Sequence, residues 1–222
     1  MFKVLVFDLD DTLYYEKEYV LGGFKEVCNY LSMKYYIDFK ELYDKCEKIL
    51  NVYGRGKIFD LLCNEYNIKE DVINLVEIYR NLRPKLELYE DSKYILEFAK
   101  KRKINLGLIT DGYAKVQWNK IKALKLDCVI DKIIVTDDYG QGFGKPNKRA
   151  YIEMMNYFNS DGYESIYVGD NPNKDFISAK ELGFKTIRII REQGDHILDK
   201  VDKEYEADFI INDLKKIEKL LF

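Results

Sequence analysis

Short apolar runs rich in β-branched and aromatic residues recur along this chain, and several stop at a residue able to carry chemistry. Phe2 to Phe7 delivers Asp8, and Ile104 to Ile109 leads into Thr110. Ile130 to Val135 leads into Thr136, Asp137 and Asp138, and Ser165 to Val168 into Gly169 and Asp170. Phe184 to Ile190 and Asp208 to Ile211 are later runs of the same kind. Short runs dominated by β-branched and aromatic residues are typical of buried strands. Between them, apolar positions repeat at helical spacing over Asp91 to Arg102, Tyr113 to Leu124, Asn147 to Phe158 and Asn173 to Leu182. The alternation predicts an α/β fold with a doubly wound parallel sheet, helices on both faces, and ligands at the carboxyl ends of the strands.

Between residues 14 and 83 the pattern changes. Lys17 to Tyr36, Phe39 to Val52, Lys57 to Asn67 and Asp71 to Leu82 are amphipathic stretches that follow one another with no strand between them. They predict an all-helical inserted domain, 14–83, with residues 1–13 and 84–222 forming the α/β core. The insert starts just after the first strand's loop, so both connections are expected to cross over the proposed site. A lid or cap that admits or excludes water is the expected role.

Composition narrows the class. With 222 residues, 47% hydrophobic and only three prolines, the chain is long and apolar enough for a substantial core. A net charge of −3, with acidic and basic residues interleaved, offers no footprint for nucleic acid. Lys3 and Asp8 interrupt the first apolar run, so neither a signal peptide nor a spanning segment is expected, and the protein is placed in the cytoplasm without a membrane partner. Cys28, Cys46, Cys63 and Cys128 lack metal-binding spacing and are expected to pack as small hydrophobes. One histidine, His196, leaves acid and base work to carboxylates, lysine or metal-bound water.

Four stretches carry the chemistry: Asp8-Leu9-Asp10-Asp11-Thr12-Leu13, Thr110-Asp111-Gly112, Gly144-Lys145-Pro146 and Gly169-Asp170 with Asp175. Asp8 is a candidate nucleophile toward a phosphomonoester, forming and then breaking an acyl phosphate. Asp10, pointing the same way from an extended segment, would protonate the leaving oxygen and then deprotonate water, which requires a raised carboxyl pKa. Thr110, with the backbone amides of Asp111 and Gly112, would hold phosphate oxygens, and Lys145 would add fixed positive charge to the phosphate and to Asp8. Carboxylates crowded against a phosphate call for a hard cation, and Mg²⁺ fits, with Asp8 and Asp170 as side-chain ligands.

In this order the four stretches resemble the signatures of the haloacid dehalogenase superfamily, in its phosphatase branch, and the insert resembles that family's first type of helical cap. The resemblance covers nearly the whole core. It implies that the Asp10 backbone carbonyl completes the protein's share of the Mg²⁺ shell and that Asp175 binds the ion directly or orients a water. It also implies a phosphatase acting through an aspartyl-phosphate on a small phosphorylated metabolite, a nucleoside monophosphate or a sugar phosphate.

Rival readings are weaker. A phosphomutase would use the same Asp8 and Asp10 but return the phosphate to a sugar. Dehalogenation needs no acid at position 10, and a catalytically dead binding protein would be expected to have lost one. A phospho-acceptor signalling module would not place a cap-sized insert after its first strand. Gly140 to Lys145 fails as a nucleotide-binding loop, because position 139 is Tyr and Lys145 precedes Pro146. Asp11 and Thr12 are expected to make local loop hydrogen bonds, Tyr14 and Tyr15 to touch substrate or pack a hinge, Gly54 to Lys57 to form a solvated turn, and His196 to have no role.

Overall fold

The computed structural model describes residues 2–221. Among them, six strands build one parallel sheet: β1 (Val4–Phe7), β2 (Asn105–Thr110), β3 (Lys132–Val135), β4 (Ser165–Gly169), β5 (Lys185–Ile189) and β6 (Phe209–Ile211), in the order β3-β2-β1-β4-β5-β6. Every residue of β1 is buried. It lies at the centre, pairing Val4 with Asn105 and Ser165, and Phe7 with Leu108 and Val168. Chain order reverses across β1, so the strand ends around it form the crevice where open α/β sheets place ligands. Because all strands run the same way, the residues after β1, β2, β3 and β4 reach one edge together.

The chain divides into two compact units, Met1–Glu16 with Leu86–Phe222, and Lys17–Lys85. The division thus falls a few residues beyond each boundary predicted from the sequence. The second unit is built from α1 (Glu16–Tyr35), α2 (Phe39–Tyr53), α3 (Ile58–Glu65) and α4 (Val72–Arg80), with α1 starting on the last residue of the other unit. Apolar faces of these helices close on a core of Phe24, Leu31, Leu42, Ile49, Leu62 and Leu75. Asp38 caps α2 through the Glu41 N–H at 3.0 Å, and Asp71 caps α4 through the Ile73 N–H at 2.9 Å. Gly54 to Lys57 is exposed, and Arg55–Lys57 forms a 3₁₀ turn.

Helices α5 (Glu90–Lys101), α6 (Ala114–Ala123), α7 (Arg149–Phe158), α8 (Ile177–Glu181) and α9 (Glu218–Leu221) belong to the sheet unit. α8 starts four residues later than the periodicity predicts. Asn171 and Asp175 turn the chain first: the Asn173 N–H donates to Asn171 Oδ1 and the Asn171 N–H to Asp175 Oδ2, both at 3.0 Å. Three cysteines are buried, as expected of small hydrophobes, whereas Cys128 is exposed on a short 3₁₀ turn. No helix among the described residues is long and apolar enough to cross a membrane.

Candidate active site

Asp8 follows directly on β1, its backbone N–H held by the Val168 carbonyl at 2.8 Å. Its carboxylate accepts from Lys145 Nζ at 2.6 Å. The same ammonium pairs with Asp175 at 2.7 Å and donates to the Tyr167 hydroxyl at 3.0 Å. Two buried carboxylates therefore share one cation, and a negative charge is left over. Burial, and the neighbouring Asp175, outweigh Lys145 and push the Asp8 carboxyl up to about 6. Burial works against the Lys145 ammonium, but Asp175 and Asp8 together hold it well above the ordinary lysine value.

Asp170, just beyond β4, completes a buried trio. One carboxylate oxygen from each of Asp8, Asp170 and Asp175 lies within 4.8 Å of the others. Burial and the charges of Asp175, Asp8 and Asp11 drive the Asp170 carboxyl well above the usual carboxylate range. Uncompensated buried negative charge on oxygen donors is what a hard divalent cation relieves, so the donor set fits Mg²⁺. Asp175 is already committed, one oxygen to Lys145 and the other to the Asn171 N–H. At Gly169 a side chain would collide with the Asp175 carboxylate. Gly169→Ala is therefore expected to cost about 1–3 kcal/mol of stability, measured by thermal or denaturant unfolding; an unchanged midpoint would show that the loop yields freely.

At the end of β2, Thr110 is buried, and its hydroxyl accepts from Gln117 Nε2 at 3.1 Å. Gly112 adopts φ +126°, a conformation few side chains tolerate, so the loop turns sharply past Asp111. The Asp111 side chain braces this loop: it accepts from Thr136 Oγ1 at 2.8 Å, the Lys145 N–H at 3.1 Å and Lys174 Nζ at 3.1 Å. The sequence used only its backbone.

Asp10 departs from expectation. It accepts from the Tyr14 hydroxyl at 2.5 Å, from Lys120 Nζ at 2.7 and 2.9 Å, and from Gln117 Nε2 at 2.8 Å. Burial alone would raise its carboxyl, but the Lys120 charge and the hydrogen bonds of Lys120, Tyr14 and Gln117 outweigh burial and hold it below the usual value. The raised pKa predicted from the sequence is thus reversed. Tyr14 itself is fully buried against this carboxylate.

Three further findings concern the loops, and the first bears out the local hydrogen bond expected of Asp11. Asp11 accepts from the nearby Glu16 N–H at 3.0 Å and also from the distant Asp195 N–H at 3.1 Å. The Thr12 hydroxyl is buried without a hydrogen-bond partner, while the Thr12 carbonyl accepts from Arg191 at 2.6 and 3.2 Å. His196 has a structural role: its ring joins the Asn171 side chain at 2.9 Å and Asp199 at 2.7 Å, pinning the turn beside Asp170. Arg191, which also pairs with Asp91 at 2.7 Å, was missed entirely by sequence reasoning.

Comparison with known proteins agrees with this geometry. A family model described as haloacid dehalogenase-like hydrolase matches residues 5–189. A glyceraldehyde 3-phosphate phosphatase of Methanocaldococcus jannaschii is 33% identical over 98% of this chain and 96% of its own. One from Pyrococcus furiosus is 30% identical over 99% of this chain and 92% of its own. The crystal structure of a HAD phosphatase from Thermococcus onnurineus shares the fold, with a TM-score of 0.65 at 24% identity over 99% of this chain and 97% of that one. With the family model spanning most of the chain and phosphatases this similar along nearly its whole length, the chain belongs to the haloacid dehalogenase-like hydrolases and is a phosphatase.

Proposed function

We propose that the protein is an Mg²⁺-dependent phosphatase that hydrolyses a small sugar phosphate, glyceraldehyde 3-phosphate first among the candidates, through an aspartyl-phosphate on Asp8. The observation that carries the mechanism is the Lys145 ammonium shared between Asp8 and Asp175 beside an uncompensated Asp170. The substrate class is supported by the names of the two relatives along which the chain aligns almost end to end.

In this mechanism an Asp8 oxygen bonds to phosphorus while the ester oxygen departs, taking a proton from Asp10. Water then bonds to phosphorus, the bond to Asp8 breaks, and Asp10 takes the water's proton. Asp10 as held here is the carboxylate that the second step uses. The first step requires it to gain a proton and turn an oxygen away from its donors. Lys145 keeps Asp8 aimed and meets charge on the transferring oxygens, while Thr110 and the amides of Asp111 and Gly112 hold those oxygens. Asp8, Asp170 and the Asp10 carbonyl would hold Mg²⁺, with Asp175 acting directly or through water. The ion supplies charge neutralisation at the phosphoryl group. Substrate selection falls to the helical unit as a cap. A cytoplasmic setting agrees with three buried free thiols.

The test is phosphate release from glyceraldehyde 3-phosphate, other sugar phosphates and nucleoside monophosphates, with Mg²⁺ or with a chelator. Release with Mg²⁺ is expected, falling to background with the chelator and returning when Mg²⁺ is restored. Release that ignores the chelator would refute metal dependence. Rearranged sugar phosphate in place of free phosphate would assign a mutase.

A further inference from the structure

Gln117 and Lys120 stand on one buried face of α6, an unusual setting for an amide and an ammonium. Lys120 Nζ grips both Asp10 oxygens and reaches Glu16 at 3.3 Å. Gln117 Nε2 meets three acceptors: Asp10 Oδ2, Thr110 Oγ1 and, in a very short contact, the Asp111 carbonyl. A primary amide has two hydrogens, so three acceptors compete for two bonds. Its other end is worse served, because Gln117 Oε1 is buried with no hydrogen-bond partner. An arrangement this over-subscribed on one side and empty on the other is poised to change partners. The competing acceptors come from different places: one is the acid–base carboxylate, and two belong to the loop assigned to phosphate.

We infer that Gln117 and Lys120 are positioning residues that fix Asp10 against α6 and couple its placement to the occupancy of the Thr110–Gly112 loop. A phosphate group on that loop draws the Thr110 hydroxyl and the local backbone toward itself. The Gln117 amide is thereby re-partnered and loosens its hold on Asp10. Lys120 keeps the carboxylate in place by charge until then, and Tyr14 completes the grip on the first oxygen. The inference rests on the acid–base role proposed for Asp10.

The experiment compares Lys120→Met, Lys120→Arg, Gln117→Met and Asp10→Asn, singly and combined with Asp10→Asn. Two substrates are used: an alkyl phosphate that the wild type turns over, whose leaving oxygen needs a proton, and p-nitrophenyl phosphate, whose leaving oxygen does not. Lys120→Met is expected to slow first-turnover release of the alcohol about 100-fold and of p-nitrophenolate far less, with substrate affinity nearly unchanged, because with the aryl phosphate Asp10 is needed only for the later attack of water. Lys120→Arg should recover part of the loss. Gln117→Met, which removes no charge and so folds more safely, should slow first-turnover release of the alcohol about tenfold with the same substrate bias. Adding either change to Asp10→Asn should cost nothing more, because both act through that carboxylate. Equal losses in first-turnover release of the two leaving groups, or losses additive with Asp10→Asn, would overturn the inference while leaving the role of Asp10 intact. Wild-type turnover by Asp10→Asn on both substrates would remove the role of Asp10 and the inference together.

Discussion

Asp8→Asn is expected to lower phosphate release by about 10⁴-fold or more, the scale on which loss of a covalent nucleophile acts. Asparagine keeps an oxygen that can accept from Lys145, so the change removes charge and nucleophilicity while sparing the 2.6 Å contact. Stability should hold or rise. The Asp8 carboxyl is pushed up to about 6 by burial, so ionising it costs stability, a penalty that grows from the ordinary carboxylate value and is complete above about pH 6, and the neutral amide removes it. Release kinetics and thermal melts of the purified variant check both halves. A folded variant retaining more than about one hundredth of wild-type turnover would exclude Asp8 as the nucleophile. A trapped phosphoenzyme present in the wild type and missing in the variant would place the bond itself.

Lys145→Met should be nearly as severe, for two separable reasons. The lost ammonium no longer aims Asp8 or meets charge on the transferring oxygens, which is expected to lower kcat about 10²- to 10³-fold. It also leaves Asp8 and Asp175, whose side chains are 6% and 0% exposed, facing each other without the ammonium that pairs them. Stripping one partner from a buried ion pair costs about 3–5 kcal/mol, so the melting temperature should fall clearly. The double variant Lys145→Met, Asp175→Asn tests the separation. Removing one orphaned charge should restore much of the stability and none of the activity. Recovered turnover in the double variant would mean that Lys145 serves the fold rather than the reaction.

These two residues were legible in the sequence, and the physical reason is shared with the fold. A strand buried on both faces must be a short continuous apolar run, so β1, β2 and β4 announce themselves, and the first polar residue after each marks the strand's carboxyl end. Asp8 and Asp170 are such first polar residues just past β1 and β4, and Thr110 closes β2. Lys145 stood out because phosphoryl transfer calls for a fixed positive charge and Gly144-Lys145-Pro146 takes its place in order among the other three stretches.

Gln117 and Lys120 gave no comparable signal. On an amphipathic helix a glutamine and a lysine read as a solvated face, yet they are 2% and 3% exposed. Burial of Lys120 is tolerable only because Asp10 and Glu16, more than a hundred positions away, supply the countercharge, and Asp10 also accepts from the Gln117 amide. Arg191 is buried in the same way, its charge met by Asp91 a hundred positions earlier, while the half-buried His196 finds Asn171 only once the two loops meet.

By itself, the amino-acid sequence determined which segments form strands and helices, where the helical unit is inserted, and which strand ends carry carboxylate, hydroxyl and ammonium. Burial periodicity and strand polarity are local properties, written in neighbouring residues. Tertiary structure alone decided which charges meet: that Lys145 is shared between Asp8 and Asp175, and that Asp10 is gripped as a carboxylate by Lys120. The electrostatic environment of a group is the sum over everything folded around it, and no window of the sequence contains that sum.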